Sequence, residues 1–195
     1  MRTFWTTFTV LATTALISGV SASPRVEPEA RFTAKVGVMS SAARFELRTV
    51  DIVITRWSTQ VEHRLLETAL LESGWVELLD RLCTFAPAGS IVTIDGREIA
   101  IRYAWQTIDR DGRRRVFAAT DEPITLANPP VHRPALADSF TFLELRIGAN
   151  GEGEGKFSEA ARLSVDESQD VIELRDYANR PLHMVMVRSV LPVDE

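Results

Sequence analysis

Residues 54–83 read ITRWSTQVEHRLLETALLESGWVELLDRLC. This stretch decides the fold, because it alone carries sustained helical periodicity. Just before it, Val50, Ile52 and Ile54 alternate with Asp51, Val53 and Thr55, the period of a strand that closes at Trp57. Thr59-Gln60-Val61-Glu62 fits a capping box, in which the Thr hydroxyl accepts the N3 amide and Glu62 reaches back to the cap amide. Beyond it Val61, Leu65, Thr68, Ala69 and Glu72 share one face. Leu66, Ala69, Leu70 and Ser73 share the neighbouring one, so the apolar stripe is broad. Gly74 suits the left-handed residue that ends a helix. Trp75, Leu78, Leu79 and Leu82 then space a second, shorter helix. Two helices this short are not stable alone. They need an apolar surface to lie on, and the rest of the chain reads as a sheet.

Working outward, Phe32, Ala34, Val36 and Val38 alternate within a first strand over 31–38, and 45–57 forms a second. After Pro87-Ala88-Gly89 the pattern is almost wholly extended. Asp95-Gly96 signals a two-residue hairpin turn in which both positions need positive φ, and a second hairpin turns at Asp111-Gly112. On the strand between them Ile99, Ile101, Tyr103 and Trp105 share one face. Residues 124–137 hold a proline-rich loop, and 139–147 the next strand. GANGEGEG at 148–155 reads as a glycine-rich turn leading into an extended 156–165. Segments 171–177 and 182–191 pair as a last hairpin. The expectation is an α+β domain over 31–195, mainly an antiparallel β sandwich or partly closed barrel of about nine strands, with the 59–83 helical hairpin packed on it.

The first residues address the chain. Arg2 precedes an apolar run from Phe4 to Val20, and Val20-Ser21-Ala22 places small residues where a signal peptidase requires them. Seven Thr or Ser residues dilute that run (Thr3, Thr6, Thr7, Thr9, Thr13, Thr14 and Ser18), which makes it a poor membrane span. We expect a signal peptide over 1–22, a flexible mature start over 23–30, and an exported periplasmic or secreted protein without a transmembrane segment in the mature chain. A net charge of −5 argues against nucleic acid as a partner. Arg110, Arg113, Arg114 and Arg115 cluster around Asp109 and Asp111 and read as a solvated hairpin tip. Cys83 is alone in the chain. Following Leu79 and Leu82, it reads as a buried thiol.

Familiar chemistries fail on spacing. Gly155-Lys156 ends no phosphate loop, since Asn150 stands where the loop needs glycine and Phe157 where it needs Ser or Thr. Asn150, Glu152 and Glu154 lack the bidentate Glu of a calcium loop, and Ala161 occupies that place. No Gly-x-Ser-x-Gly elbow is present. His63, His132 and His183 are scattered, with His63 read on the exposed helix face beside Glu62 and Arg64. We therefore expect no metal and no cofactor. The unusual feature is the strand that carries Phe140 and Phe142 and continues with Glu144 and Arg146 on the same face. A carboxylate continuing a core-like face needs a cation. Arg146 and Arg102 are the candidates; if the face is a pocket, Arg102, Tyr103, Glu144 and Arg146 form the expected ligand-binding set, the other reading being that Glu144 and both arginines lie on a solvated sheet face.

Arg56-Trp57-Ser58-Thr59, Ala119-Thr120-Asp121-Glu122-Pro123-Ile124, Phe140-Thr141-Phe142-Leu143-Glu144-Leu145-Arg146 and Gly153-Glu154-Gly155-Lys156 together resemble an uncharacterised family of small exported bacterial proteins. The likeness spans roughly residues 45–190 and implies a shared scaffold, with no activity attached. The reading for function is a non-enzymatic exported protein that binds a small apolar ligand or an envelope protein partner. A hydrolase or other enzyme of unrecognised type and a structural envelope protein are the alternatives.

Overall fold

Strand alternation closes on itself in this chain. The structure, a computed structural model, describes residues 28–39, 44–124, 126, 140–159, 162–166, 171–176 and 182–190. The expected signal peptide over 1–22 and nearly all of the proline loop lie outside them. Strands β1 (Ala30–Met39) and β2 (Phe45–Ile54) are followed by helices α1 (Gln60–Glu72) and α2 (Trp75–Thr84). Then come β3 (Gly89–Thr93), β4 (Glu98–Ile108), β5 (Arg114–Thr120), β6 (Thr141–Ile147) and β7 (Glu152–Glu159). A small hairpin, β8 (Arg162–Asp166) and β9 (Val171–Asp176), precedes β10 (Leu182–Ser189). Eight strands form a closed antiparallel barrel in the order β1-β10-β7-β6-β5-β4-β3-β2, with β8 and β9 as a separate two-stranded sheet. Closure leaves the barrel without an unpaired edge. The expected last hairpin is corrected here: β9 pairs with β8, while β10 pairs with β1 and β7 and shuts the barrel.

Inward-facing side chains fill this barrel. Phe32, Ala34, Val36, Val50, Ile52, Ile54, Ile91, Ile101, Ala104, Val116, Leu143, Leu145 and Val187 all have 0% exposure. None of them borders a gap wide enough for a water molecule, as expected of an eight-stranded barrel packed with its own side chains. At one end the Arg114 guanidinium lies over the rings of Phe32 and Trp57, 5.6 and 5.5 Å from their centroids, and its Nε donates to Gln106 Oε1. Burial holds that guanidinium below its ordinary pKa.

Three hairpins share one construction. Asp109 N–H donates to Arg113 O and Gly112 N–H to Asp109 O, and the same pairs recur at Thr93/Arg97 with Gly96 and at Gly148/Glu152 with Gly151. Each three-residue loop ends on a glycine with φ between 76° and 78°, the left-handed position such loops need. Asp95 and Asp111 do not share that conformation. The glycine-rich turn is accordingly shorter than expected: β7 already begins at Glu152, and Gly153 and Gly155 are strand residues. A Cβ on Gly155 would meet Glu144 O and Leu145 Cδ2 at 2.7 Å each. These glycines let β7 lie close against large inward neighbours.

The outer face of β4, β5 and β6 is a second core. Tyr103, Phe117, Ala119, Phe140 and Phe142 pack there against Leu66 and Ala69 of α1 and Leu78, Leu79 and Leu82 of α2, with Ile172 of β9. The capping box forms as expected, with Glu62 N–H donating to Thr59 Oγ1 and Thr59 N–H to Glu62 Oε2. The buried stripe of α1 differs from the reading. His63, Leu66 and Ala69 face the barrel, whereas Val61 and Leu65 are exposed.

A register shift between Ile101 and Tyr103 in β4 explains a further difference. The extra residue turns Tyr103 and Trp105 to the outer face, away from Ile99 and Ile101 inside. Cys83 is also corrected: it is exposed. It lies one turn past Leu79, which borders the buried stripe, and the last turn of α2 leaves it uncovered.

Candidate functional site

Beyond Phe142 the helices no longer cover β6, and the outer face turns polar. Phe140 and Phe142 are buried under the hairpin, then Glu144 and Arg146 continue the same face. The neighbouring strand carries Arg115, two residues before Phe117 and therefore also facing outward. Its guanidinium lies 4.8 Å from the Phe117 ring centroid, at the seam between the apolar cover and the polar patch. Arg115 Nε and Nη2 donate to Glu144 Oε1 at 3.1 and 2.9 Å, and Arg146 Nε donates to the same oxygen at 3.0 Å. The Arg115 and Glu144 side chains are 2% and 6% exposed, while that of Arg146 is 41% exposed. The hydrogen bond from Arg146 to Glu144 raises the guanidinium's pKa against the opposing effect of burial.

A pocket of about 240 Å³ opens beside this trio, lined by Glu144, Arg146, Glu154, Lys156, His183 and Val185. Register places its walls. Glu144 is directly opposite Lys156 on β7, and Lys156 is directly opposite His183 on β10. The next row sets Arg115 opposite Arg146 and Arg146 opposite Glu154. Facing Glu154, β10 carries one extra residue, with the register shifting between Met184 and Val187. Met186 in that bulge has φ of 52°. A bulge re-aims the side chains around it, and a non-glycine residue held at positive φ is a local strain. The sequence fold signals are therefore broken at the rim of the pocket and not at a neutral place.

Of the four expected site residues, Glu144 and Arg146 stand together in this pocket. Arg102 and Tyr103 do not. Arg102 sits at the β4 bulge, where Nε donates to Asp121 Oδ2 at 2.8 Å and Nη1 to Phe85 O at 3.2 Å, tying the end of α2 to the barrel. Tyr103 lies under α1, where its hydroxyl and His63 Nδ1 share a hydrogen bond of 2.6 Å. His63, expected on the exposed face, has 0% exposure and stacks on Trp105 with centroids 4.4 Å apart. It belongs to the packing between helix and sheet.

Arg115 was missed because it was assigned to the hairpin tip, and only Arg113 among the cluster's described ion pairs behaves that way, half-exposed beside Asp111. The signal was available: with a three-residue loop ending at Gly112, Arg115 falls inside β5 on the face of Phe117. Among the described residues no three His, Cys, Asp or Glu side chains are grouped to hold a metal ion. No helix among them is long and apolar enough to cross a membrane.

Fold and site together define a closed eight-stranded antiparallel barrel that carries a helical hairpin on one outer face and a polar pocket beside it. No protein family, curated protein or solved structure matches the chain.

Proposed function

We propose that the chain is an exported, non-enzymatic binding protein whose ligand is small and polar and occupies the outer-face pocket of β6, β7 and β10. One observation carries this reading: a nearly buried carboxylate, Glu144, is clamped by two guanidiniums at the edge of an open pocket. Placing three charges at the end of an apolar sheet face costs desolvation energy, and apolar residues would pack as well or better there. A preorganised charged wall justifies that cost when it recognises something. The filled interior supports placing the ligand outside the barrel, and the charged residues of the lining, Glu144, Arg146, Glu154 and Lys156, support a polar ligand over an apolar one. Three guanidinium hydrogen bonds fix the Glu144 side chain in place, which supports binding over catalysis. Export rests on Arg2, the apolar run and the Val20-x-Ala22 pattern.

The test is a pocket-filling variant. Val185 lies on the rim and is 40% exposed, so Val185→Trp should fill the mouth without disturbing the core. Polar fragments that bind the parent, detected by calorimetry, should lose binding to the variant. Dodecanoate should bind neither protein. Dodecanoate binding that survives Val185→Trp would place an apolar ligand elsewhere and sink this reading.

A further inference from the structure

Resting on that pocket as the ligand site, we infer that its ligand is a small zwitterion, with an ammonium and a carboxylate on one short skeleton, as in amino acids. The argument is a census of what the clamped trio leaves unused. All three hydrogen bonds received by Glu144 end on Oε1. Oε2 accepts none among the described residues, although the side chain is 6% exposed and lines the pocket. That oxygen keeps its acceptor capacity for a donor arriving in the pocket. Arg146 presents the opposite case. Its Nε is committed to Glu144, while Nη1 and Nη2 make no hydrogen bond among the described residues. The end-on pair of a guanidinium is the fork that matches a carboxylate.

The pocket thus offers an acceptor and a bidentate donor on the same strand, two residues apart and on one face. The surrounding charges keep both signs in reach. Lys156 stands across from Glu144, and Glu154 stands across from Arg146. A simple anion would satisfy Arg146 but leave Glu144 Oε2 without a donor and crowd Glu154. A simple cation would do the reverse, leaving the Arg146 fork without an acceptor. A ligand that carries both charges satisfies both, its ammonium donating toward Glu144 Oε2 and its carboxylate accepting from the Arg146 fork. A volume of about 240 Å³ lies below the usual range for drug-sized ligands, which suits a molecule of amino-acid size.

The experiment titrates the protein with 4-aminobutyrate and glycine as zwitterions. Butyrate, acetate and butylamine serve as probes that each lack one charge. Binding is read by calorimetry and located by amide NMR shifts. At least one zwitterion should bind about tenfold or more tightly than every single-charge probe, since each lost charge-assisted bond costs roughly that factor. Arg146→Gln should weaken that binding about tenfold or more. Lys156→Gln, which leaves the Arg115–Glu144–Arg146 trio intact, should weaken it even if Arg146→Gln fails to fold. Arg97→Gln, at an exposed pair with Glu122, should leave it unchanged. Butyrate or butylamine binding in the pocket as tightly as the zwitterions would overturn the zwitterion assignment while leaving the pocket as a ligand site. Absence of any shift at Lys156, His183 and Val185 with every probe would overturn both.

Discussion

Arg115 and Glu144 form an ion pair of 2.9 Å whose side chains are 2% and 6% exposed, on the outside of a barrel. Removing one partner strands a buried charge, whereas removing both does not. Arg115→Met should therefore cost about 3–5 kcal/mol, toward the lower end because Arg146 stays beside Glu144. The double variant Arg115→Met, Glu144→Leu should recover most of that loss. Urea unfolding of the three proteins checks it. A double variant as unstable as Arg115→Met, or more so, would show that the trio contributes net stability, removing the reason to assign it to recognition.

The start of α1 gives a pH-dependent term. Partial burial pushes the Glu62 carboxyl up, but hydrogen bonds from Arg56 and from the Thr59 amide and hydroxyl outweigh it and hold the group below its ordinary 4.5. A carboxyl whose folded pKa is depressed contributes stability at neutral pH, and that contribution fades as pH falls below about 4.5. Glu62→Gln should lower stability at pH 7 and flatten the decline below pH 4.5. Thr59→Ala, which removes the cap acceptor, should cost about 1 kcal/mol. Thermal melts across pH read both effects. An unchanged acid profile in Glu62→Gln would remove the cap from the account.

Cys83 is exposed, yet partial burial and the nearby Asp121 carboxylate raise its thiol pKa. A thiol reagent should label the native protein completely without unfolding it. The rate at neutral pH should be lower than for a small model thiol, because less thiolate is present. Labelling that waits for denaturant would contradict the exposure.

The glycines of β7 test the register that builds the pocket. A Cβ on Gly153 would be driven into the Arg146 carbonyl oxygen, which backbone cannot evade cheaply. Gly153→Ala should cost roughly 1–3 kcal/mol. Gly112→Ala, in an open loop at φ of 77° with no neighbour near the added carbon, should cost less, through backbone strain alone. Chemical denaturation orders the two, and the opposite order would mean that β7 does not lie against β6 as described.

Local patterns were legible in residues 54–83 and in the strands around them: the Thr59–Glu62 cap, the break at Gly74, the alternation of β1 and β2, and the run from Phe142 to Arg146. Long-range pairing was not. Nothing local says that β10 closes the barrel between β1 and β7, since a strand's alternation fixes its face and not its neighbour. Bulges defeat alternation outright, and each one here moved a residue that mattered. The extra residue in β4 took Tyr103 to the helix side and left Arg102 tied to Asp121. The extra residue in β10 lies at the rim of the pocket that joins Lys156 and His183 to Glu144. Half the site was visible because Glu144 and Arg146 share a strand. The rest depended on register.

The most direct measurement is an amide NMR titration of the protein with 4-aminobutyrate. The account predicts saturable shifts at Gly155, Lys156, His183 and Val185, with Ile91 and Ala104 in the barrel interior unmoved. Saturable shifts centred on Ile91 and Ala104, or none at the four pocket residues, would contradict it.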